Sequence, residues 1–336
     1  MIKEVLLEEE KNQVKAFLKT FDLLYEDDID YTVMIIEEGR LIATASKSQN
    51  IIKCVAIKPL HQGKNLLSTL MTALIKKLAE ENIHHYFLYT LNQQAPLFKA
   101  LGLNEIVKSP NVTLFEGGAY IKNQLETLKK RYQVSDHLKA CLIINANPMT
   151  KGHFHLIKHA ASLHEEVLVF VVSEDRSFFP FDARFEIIKK ACEGLPNVKV
   201  LPTLNYLVSS ATFPKYFLKE ETLIKEAHAL IDVLIYKKYY MPIFHISTRY
   251  VGDEPLSPMT NMYNQVMKKH LGDALKIIPR IKLGHEVISA STVRNYLKSG
   301  NIEAAKPFLV DASYDYLRSK KGRELLETIK HYTKRH

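Results

Sequence analysis

The stretch KACLIINANPMTKGHFHLIKHA, residues 139–160, decides how this chain is read. ACLIINA is an apolar run of strand length. Pro148 closes it, and HFHLIKHAASL follows with apolar residues at helical spacing. A strand that runs through a tight turn into a helix is the repeating unit of parallel α/β sheets. In such sheets the ligand sits beyond the carboxyl ends of the strands. The turn Thr150-Lys151-Gly152-His153 lies at such an end. The helix start there offers unpaired N–H groups and a partial positive charge, and both suit phosphate oxygens. Gly152 lets a ligand approach the backbone closely. His153, at the mouth of the helix, can donate a hydrogen bond to charge developing on a phosphate.

The stretch also contains the spacing of a zinc helix, because His155 and His159 stand at i and i+4. Leu156 and Ile157 follow His155, so the Glu that a hydrolytic zinc helix uses is missing. No further ligand can be assigned. The alternative is a partly exposed helix face carrying both histidines, and no metal ligand is expected from the protein.

Outward from this stretch, strands are expected near 166–172, 197–201, 231–235, 243–247 and 275–279. Helices are expected near 152–164, 182–193, 219–229, 259–271 and 291–298. That alternation predicts a parallel sheet with helices on both faces. The first part of the chain reads differently. A helix near 8–20 precedes strands at 31–37 and 41–48, joined by the turn Glu38-Gly39-Arg40. A strand at 51–57 ends at Pro59. An amphipathic helix over 64–82 places Leu66, Leu67, Leu70, Leu74 and Leu78 on one side. A strand at 85–90, a short helix over 94–101 and strands near 103–108 and 112–115 follow. With 336 residues the chain exceeds one ordinary core. We expect an α+β domain over 1–118, a linker helix over 119–136 and a parallel-sheet domain over 137–336.

Composition narrows the function classes. The apolar run VLVFVV (167–172) is far too short for a membrane span, and MIKEVLLEEEKNQ has no apolar core of a secretory signal. Cys54, Cys141 and Cys192 are odd in number and far apart, which argues for a reducing cytoplasm and against a disulfide framework. The net charge of +9 is uneven: residues 1–135 contribute +1 and residues 136–336 contribute +8. The second part therefore favours an anionic ligand. No nucleic-acid motif accompanies the charge.

With these residues in view, TKGH resembles the T/H-x-G-H signature of the adenylyl-transferring nucleotidyltransferases. Their second signature, I-S-S-T-x-x-R, resembles ISASTVR (288–294), also at a helix start. The likeness extends to the citrate lyase ligase family through NANPMTKGHFHLI, SSATFPKYFLK (209–219), RYVGDEP (249–255), TNMYNQVMKKHL (260–271) and ISASTVR. It covers nearly all of the C-terminal part. That family carries an N-terminal acetyltransferase-like (GNAT) domain, and the first part of this chain resembles one. VAIKPLHQGKNLLSTLMTALI (55–75) is similar to the acyl-CoA pyrophosphate loop, with Gln62 in place but Asn65 and Leu67 at its two glycine positions. A GNAT fold used as a docking or carrier-binding module is the other reading of that domain.

The resemblance implies a GNAT-like domain followed by a Rossmann-like nucleotidyltransferase domain. It implies an acid–thiol ligase that uses ATP and Mg²⁺ to acetylate the thiol of a dephospho-CoA-derived group on the acyl carrier subunit of citrate lyase. Acetyl-adenylate would be the intermediate, and AMP and pyrophosphate the products. By motif position, His153 would donate to the α-phosphate and Thr150 would bind phosphate oxygens. Asn147 and the Gly152 backbone would shape the cradle. Ser289, Ser291 and Thr292 would bind the β- and γ-phosphates, and Arg294 would hold the leaving pyrophosphate. Arg249 would hold acetate or a phosphate, or else pair with Asp253 or Glu254 in its loop. Arg184 reads either as a nucleotide contact or as a helix-face residue. Lys151 and Lys158 read as field or as solvated surface. The competing functions are a nucleotidyltransferase joining a nucleotide to a phosphorylated cofactor precursor, a nucleotide-binding regulator and a nucleic-acid binder.

Overall fold

A computed structural model of the chain describes residues 1–174, 177–207, 221–253, 258–284 and 286–329. SSATFPKYFLK, Glu254 and the basic end KHYTKRH lie outside the described residues. The chain divides into two compact units. One comprises Met1–Gln124 with the described part of Thr212–Leu234. The other comprises Leu125–Ala211 and Ile235–His336, again as far as described.

The first unit runs β1 (Ile2–Glu4), α1 (Glu8–Lys19), β2 (Tyr31–Glu37), β3 (Arg40–Ser48), β4 (Ile51–Ile57), α2 (Leu66–Glu80), β5 (Tyr86–Leu91), α3 (Ala95–Ala100), β6 (Asn104–Lys108) and β7 (Val112–Gly117). Helix α4 (Ile121–Arg131) spans the boundary between the units. The strands form one sheet in the order β1-β2-β3-β4-β5-β7-β6. Glu38 and Gly39 both take positive φ in the tight β2–β3 turn, as a two-residue hairpin loop requires. Side chains alternate between two cores. Val33 and Ile35 of β2 join Leu70, Met71, Leu74 and Leu78 of α2. Met34, between them in sequence, joins Val14, Phe17 and Leu18 of α1 on the other face.

Neighbouring strands are antiparallel except β4 and β5. These run parallel and share register only at Ile51–Phe87 and Ile52–Leu88. Beyond that point they diverge, and a cavity of about 410 Å³ opens in the wedge, lined by Val55, Ile57, Tyr89 and Leu91 among others.

After α4 come β8 (Lys139–Ile144), α5 (Lys151–Leu163), β9 (Val167–Val171), α6 (Phe181–Ala191), β10 (Val198–Pro202), α7 (Glu221–Ile235), α8 (Met241–Ile243), β11 (Ile246–Gly252), α9 (Pro258–Leu271), β12 (Leu275–Ile278), the short hairpin β13 (Lys282–Leu283) and β14 (Glu286–Val287), α10 (Ala290–Lys298), α11 (Ile302–Ala305), α12 (Asp311–Arg318) and α13 (Lys320–Ile329). The second unit is built on a parallel sheet in the order β10-β9-β8-β11-β12. All of Val167–Val171 are fully buried, so β9 is covered on both faces. Each such apolar side chain contributes about 1.5–3 kcal/mol on burial. The strand order reverses between β8 and β11, and open parallel sheets bind ligands at that switch point. No helix of the described residues is long and apolar enough to cross a membrane.

Two sequence expectations are corrected here. The run IDVLI at 231–235 is the end of helix α7, not a strand, and the helix passes into a π-helical turn over Tyr236–Tyr240. Ile231, Val233 and Ile235 stand at alternate positions and are all buried, and so short an apolar run reads the same for a buried helix as for a buried strand. The next strand is β11 at Ile246–Gly252 rather than 243–247, because Pro242 begins a helical turn instead.

Candidate functional site

Strand β8 delivers the chain to the switch point, and the four residues of the turn build a cap on α5. Thr150 is its N-cap. The Thr150 N–H donates to His153 Nδ1 at 3.1 Å, and the His153 N–H points back at Thr150 Oγ1 at 3.5 Å. This is a capping box in which histidine takes the place usually held by Glu or Gln. The bond fixes the tautomer. Nδ1 accepts, so a neutral His153 carries its proton on Nε2 and presents an N–H donor on the other edge of the ring. The ring keeps some solvent contact but is closely surrounded. Lost solvation, reinforced by the charge of Arg280, pushes its pKa down to about 4. His153 is therefore a neutral hydrogen-bond donor at pH 7.

The second motif is built the same way. Ser289 is the N-cap of α10, and its Oγ accepts from the Thr292 N–H at 3.1 Å. The Thr292 hydroxyl lies 3.0 Å from Ser289 Oγ. One hydrogen bond joins the motifs, and a second holds its donor in place within ISASTVR. Arg294 Nη1 donates to the Asn147 carbonyl at 2.6 Å, while Nη2 donates to Ser291 Oγ at 3.1 Å. Gly152 faces Ile288: a Cβ there would sit 3.5 Å from the Ile288 carbonyl oxygen, in ordinary contact. Asn147 is buried, and its Oδ1 accepts from the Phe179 N–H at 2.9 Å. Thus Asn147, Thr150, Gly152, His153, Ser289, Ser291, Thr292 and Arg294 form one connected cluster around two helix N-termini.

Arg249 occupies a different setting. It lies within β11, beside Cys141 of β8, only 3% exposed, with its guanidinium 4.5 Å above the Tyr236 ring. Tyr236 in turn lies 3.1 Å from the Cys141 sulfur. Lys151 and Lys158 are exposed, the latter beside the Phe154 ring. His155 is exposed and His159 stands edge-on to Tyr250. Among the described residues no three His, Cys, Asp or Glu side chains cluster as a metal site would need. The groups of the cradle are N–H, hydroxyl, imidazole and guanidinium. They suit phosphate oxygens and do not suit a bare cation, so a divalent ion fits here only as part of a nucleotide complex.

Two arginines carry more than the sequence suggested. Arg280 follows β12 at its carboxyl end, donates from Nε to the Asp253 carbonyl at 2.7 Å, and acts electrostatically on His153. Its place just after a parallel strand was the available signal. Arg184 is fully buried rather than on a helix surface. Ser313 of α12, also buried, donates to the Met149 carbonyl at 2.7 Å within the turn.

Residues 139–317 match the family model for the citrate lyase ligase C-terminal domain, and residues 4–103 match the acetyltransferase (GNAT) family. The chain is 33% identical over 317 residues to the [citrate [pro-3S]-lyase] ligase of Escherichia coli (strain K12), covering 91% of this chain and 90% of that protein. It is 32% identical over 333 residues to the [citrate [pro-3S]-lyase] ligase of Klebsiella pneumoniae, covering 94% and 96%. A shorter likeness, 37% over 67 residues, links it to the phosphopantetheine adenylyltransferase of Campylobacter hominis, covering 19% of this chain and 42% of that protein.

Proposed function

Since the chain belongs to the citrate lyase ligase family, we propose that it activates acetate with ATP and passes the acetyl group to the prosthetic thiol of the citrate lyase acyl carrier subunit. One observation carries this reading. Two capped helix N-termini are joined through Arg294 and the Asn147 carbonyl, with a neutral imidazole N–H held beside them. Such a cluster suits an anion that gains charge during reaction.

In the first half-reaction an acetate oxygen attacks the α-phosphorus of ATP. The bond from that phosphorus to the bridging oxygen of the β-phosphate breaks, giving acetyl-adenylate and pyrophosphate. His153 donates from Nε2 to an α-phosphate oxygen, and Thr150 binds its neighbour. Ser289, Ser291, Thr292 and the first N–H groups of α10 bind the β- and γ-phosphates, and Arg294 retains the departing pyrophosphate. A Mg²⁺ ion bound to ATP would neutralise part of the phosphate charge, with the protein groups of the cradle binding the phosphate oxygens. In the second half-reaction the thiolate attacks the acetyl carbon and AMP leaves. The protein's contribution is positioning and charge stabilisation. Arg249, buried behind the switch point on β11, is the candidate for the acetate carboxylate.

The second reading rests on the likeness to phosphopantetheine adenylyltransferase: a nucleotide joined to a phosphorylated cofactor precursor. Pyrophosphate release from ATP separates the two. We expect release to require acetate and AMP to accumulate once deacetylated carrier is added. Release that ignores acetate but responds to a phosphorylated pantetheine compound would overturn the ligase reading.

A further inference from the structure

Arg184 stands on α6, outside both motifs, and is fully buried. Its guanidinium donates to main-chain carbonyls from three separate segments. Nε donates to Phe179 at 2.9 Å, Nη1 to Asn145 at 3.2 Å and to Val172 at 2.7 Å, and Nη2 to Glu174 at 2.7 Å. Asn145 follows β8, Val172 and Glu174 follow β9, and Phe179 leads into α6. These are the segments at the carboxyl edge of the sheet.

The bonds continue into the cradle. Phe179, held by its carbonyl, donates its own N–H to Asn147 Oδ1 at 2.9 Å. Asn147 then offers its carbonyl to Arg294 at 2.6 Å. A chain of hydrogen bonds thus runs from Arg184 through Phe179 and Asn147 to Arg294, joining α6 to α10. Buried charged groups are costly unless well satisfied, and a planar fork with five N–H groups is the side chain able to gather several carbonyls at fixed angles. A lysine could supply the charge but not the fork.

We propose that Arg184 is a positioning residue that holds the nucleotide cradle in its working shape before ATP arrives. It touches no reacting atom. It sets Asn147, and through Asn147 the side chain of Arg294. This rests on the functional reading above, because the consequence is read in ATP chemistry. Preorganised donors need no rearrangement at the moment of reaction, and a misplacement of about 1 Å costs on the order of 100-fold in rate.

The test compares wild type, Arg184→Lys, Arg294→Lys and the double variant, each checked for folding by thermal melting. Acetate-dependent pyrophosphate release is measured. We expect Arg184→Lys to lower kcat by roughly 10- to 100-fold at a temperature where it is fully folded. In the double variant the two losses should combine to well less than their product, because both act through Asn147. Losses that multiply, or an Arg184→Lys enzyme with wild-type kcat, would overturn the proposal. Should Arg184→Lys not fold, amide exchange of residues 145–150 in the wild type decides. Slow exchange without ATP is expected. Fast exchange that slows only when ATP is added would mean that the nucleotide orders the loop, and Arg184 does not. A wild type that releases no pyrophosphate with acetate refutes the ligase reading instead, and the exchange measurement still decides the role of Arg184.

Discussion

His153 owes its proton position to one backbone bond, the Thr150 N–H to Nδ1. The enclosed ring resists charge because it has lost solvation, and the nearby charge of Arg280 adds to this, so the pKa falls to about 4 from the ordinary 6.5. Between those two values the unfolded chain binds more protons than the folded one. The stability gained from the neutral ring is therefore complete above about pH 6.5 and is lost as pH falls towards about 4. For activity the same sign means that His153 stays a competent donor down to about pH 5. We expect the pH profile of pyrophosphate release to show no step near pH 6–7 that belongs to this residue. An acid limb there that disappears in His153→Ala would refute the assignment. His153→Ala itself should lower the adenylation rate by about 100- to 1000-fold while changing ATP affinity far less. At this scale both motifs were legible because their key contacts are local, at three residues' spacing on a helix start. Arg184 and Arg280 were not. Their partners are main-chain carbonyls 5 to 39 residues away, and a carbonyl leaves no mark in a sequence.

Among the elements, the C-terminal helices give the cradle its backing. Ser313 of α12 holds the Met149 carbonyl, and Thr150 forms an isolated bridge with Leu309 just before that helix. Met149 is almost wholly buried, so removing its donor leaves a carbonyl without that bond inside the protein. Ser313→Ala should therefore cost about 1–3 kcal/mol. In a unit of this size each kcal/mol lowers the melting temperature by about 2–4 °C. Because the lost bond sits in the turn that caps α5, KM for ATP should rise with it. Melting together with ATP kinetics checks this, and a destabilised variant with unchanged KM would show that the turn keeps its shape alone. The helices expected from the sequence end at α10, since α11 and α12 are short. The end of helix α7 was misread as a strand for a different reason. IDVLI is only five residues long with Ile231, Val233 and Ile235 at alternate positions, too short to show the period that tells helix from strand, whereas α2 shows its leucines at clear helical spacing.

For the whole molecule, the division of labour follows from where the residues lie. Every cradle residue belongs to the second unit, which also carries most of the positive charge. The first unit holds a separate apolar wedge between β4 and β5. Leu67 forms part of its wall, and Asn65 takes the left-handed conformation at the start of α2, which Asn tolerates better than most residues. The succession of strands and helices along both units was largely readable from apolar patterning, whereas the order of the strands within each sheet was not read. Nor was the wedge, because β4 and β5 each look like ordinary paired strands and only their shared register reveals that they part. If ATP and acetate react wholly in the second unit, changing the mouth of the wedge should spare the first half-reaction. Leu97 lies at that cavity and is 50% exposed, so Leu97→Glu alters it without opening a core. We expect acetate-dependent pyrophosphate release by this variant to stay within about 2-fold of wild type, since no cradle residue lines the cavity and sites that share no partners act nearly independently. Transfer to the carrier is then measured separately, with acetylated carrier as the readout. A drop of about 10-fold or more in pyrophosphate release, without a change in melting, would mean that the first unit takes part in adenylation. A loss confined to transfer would place the wedge on the carrier's side of the reaction.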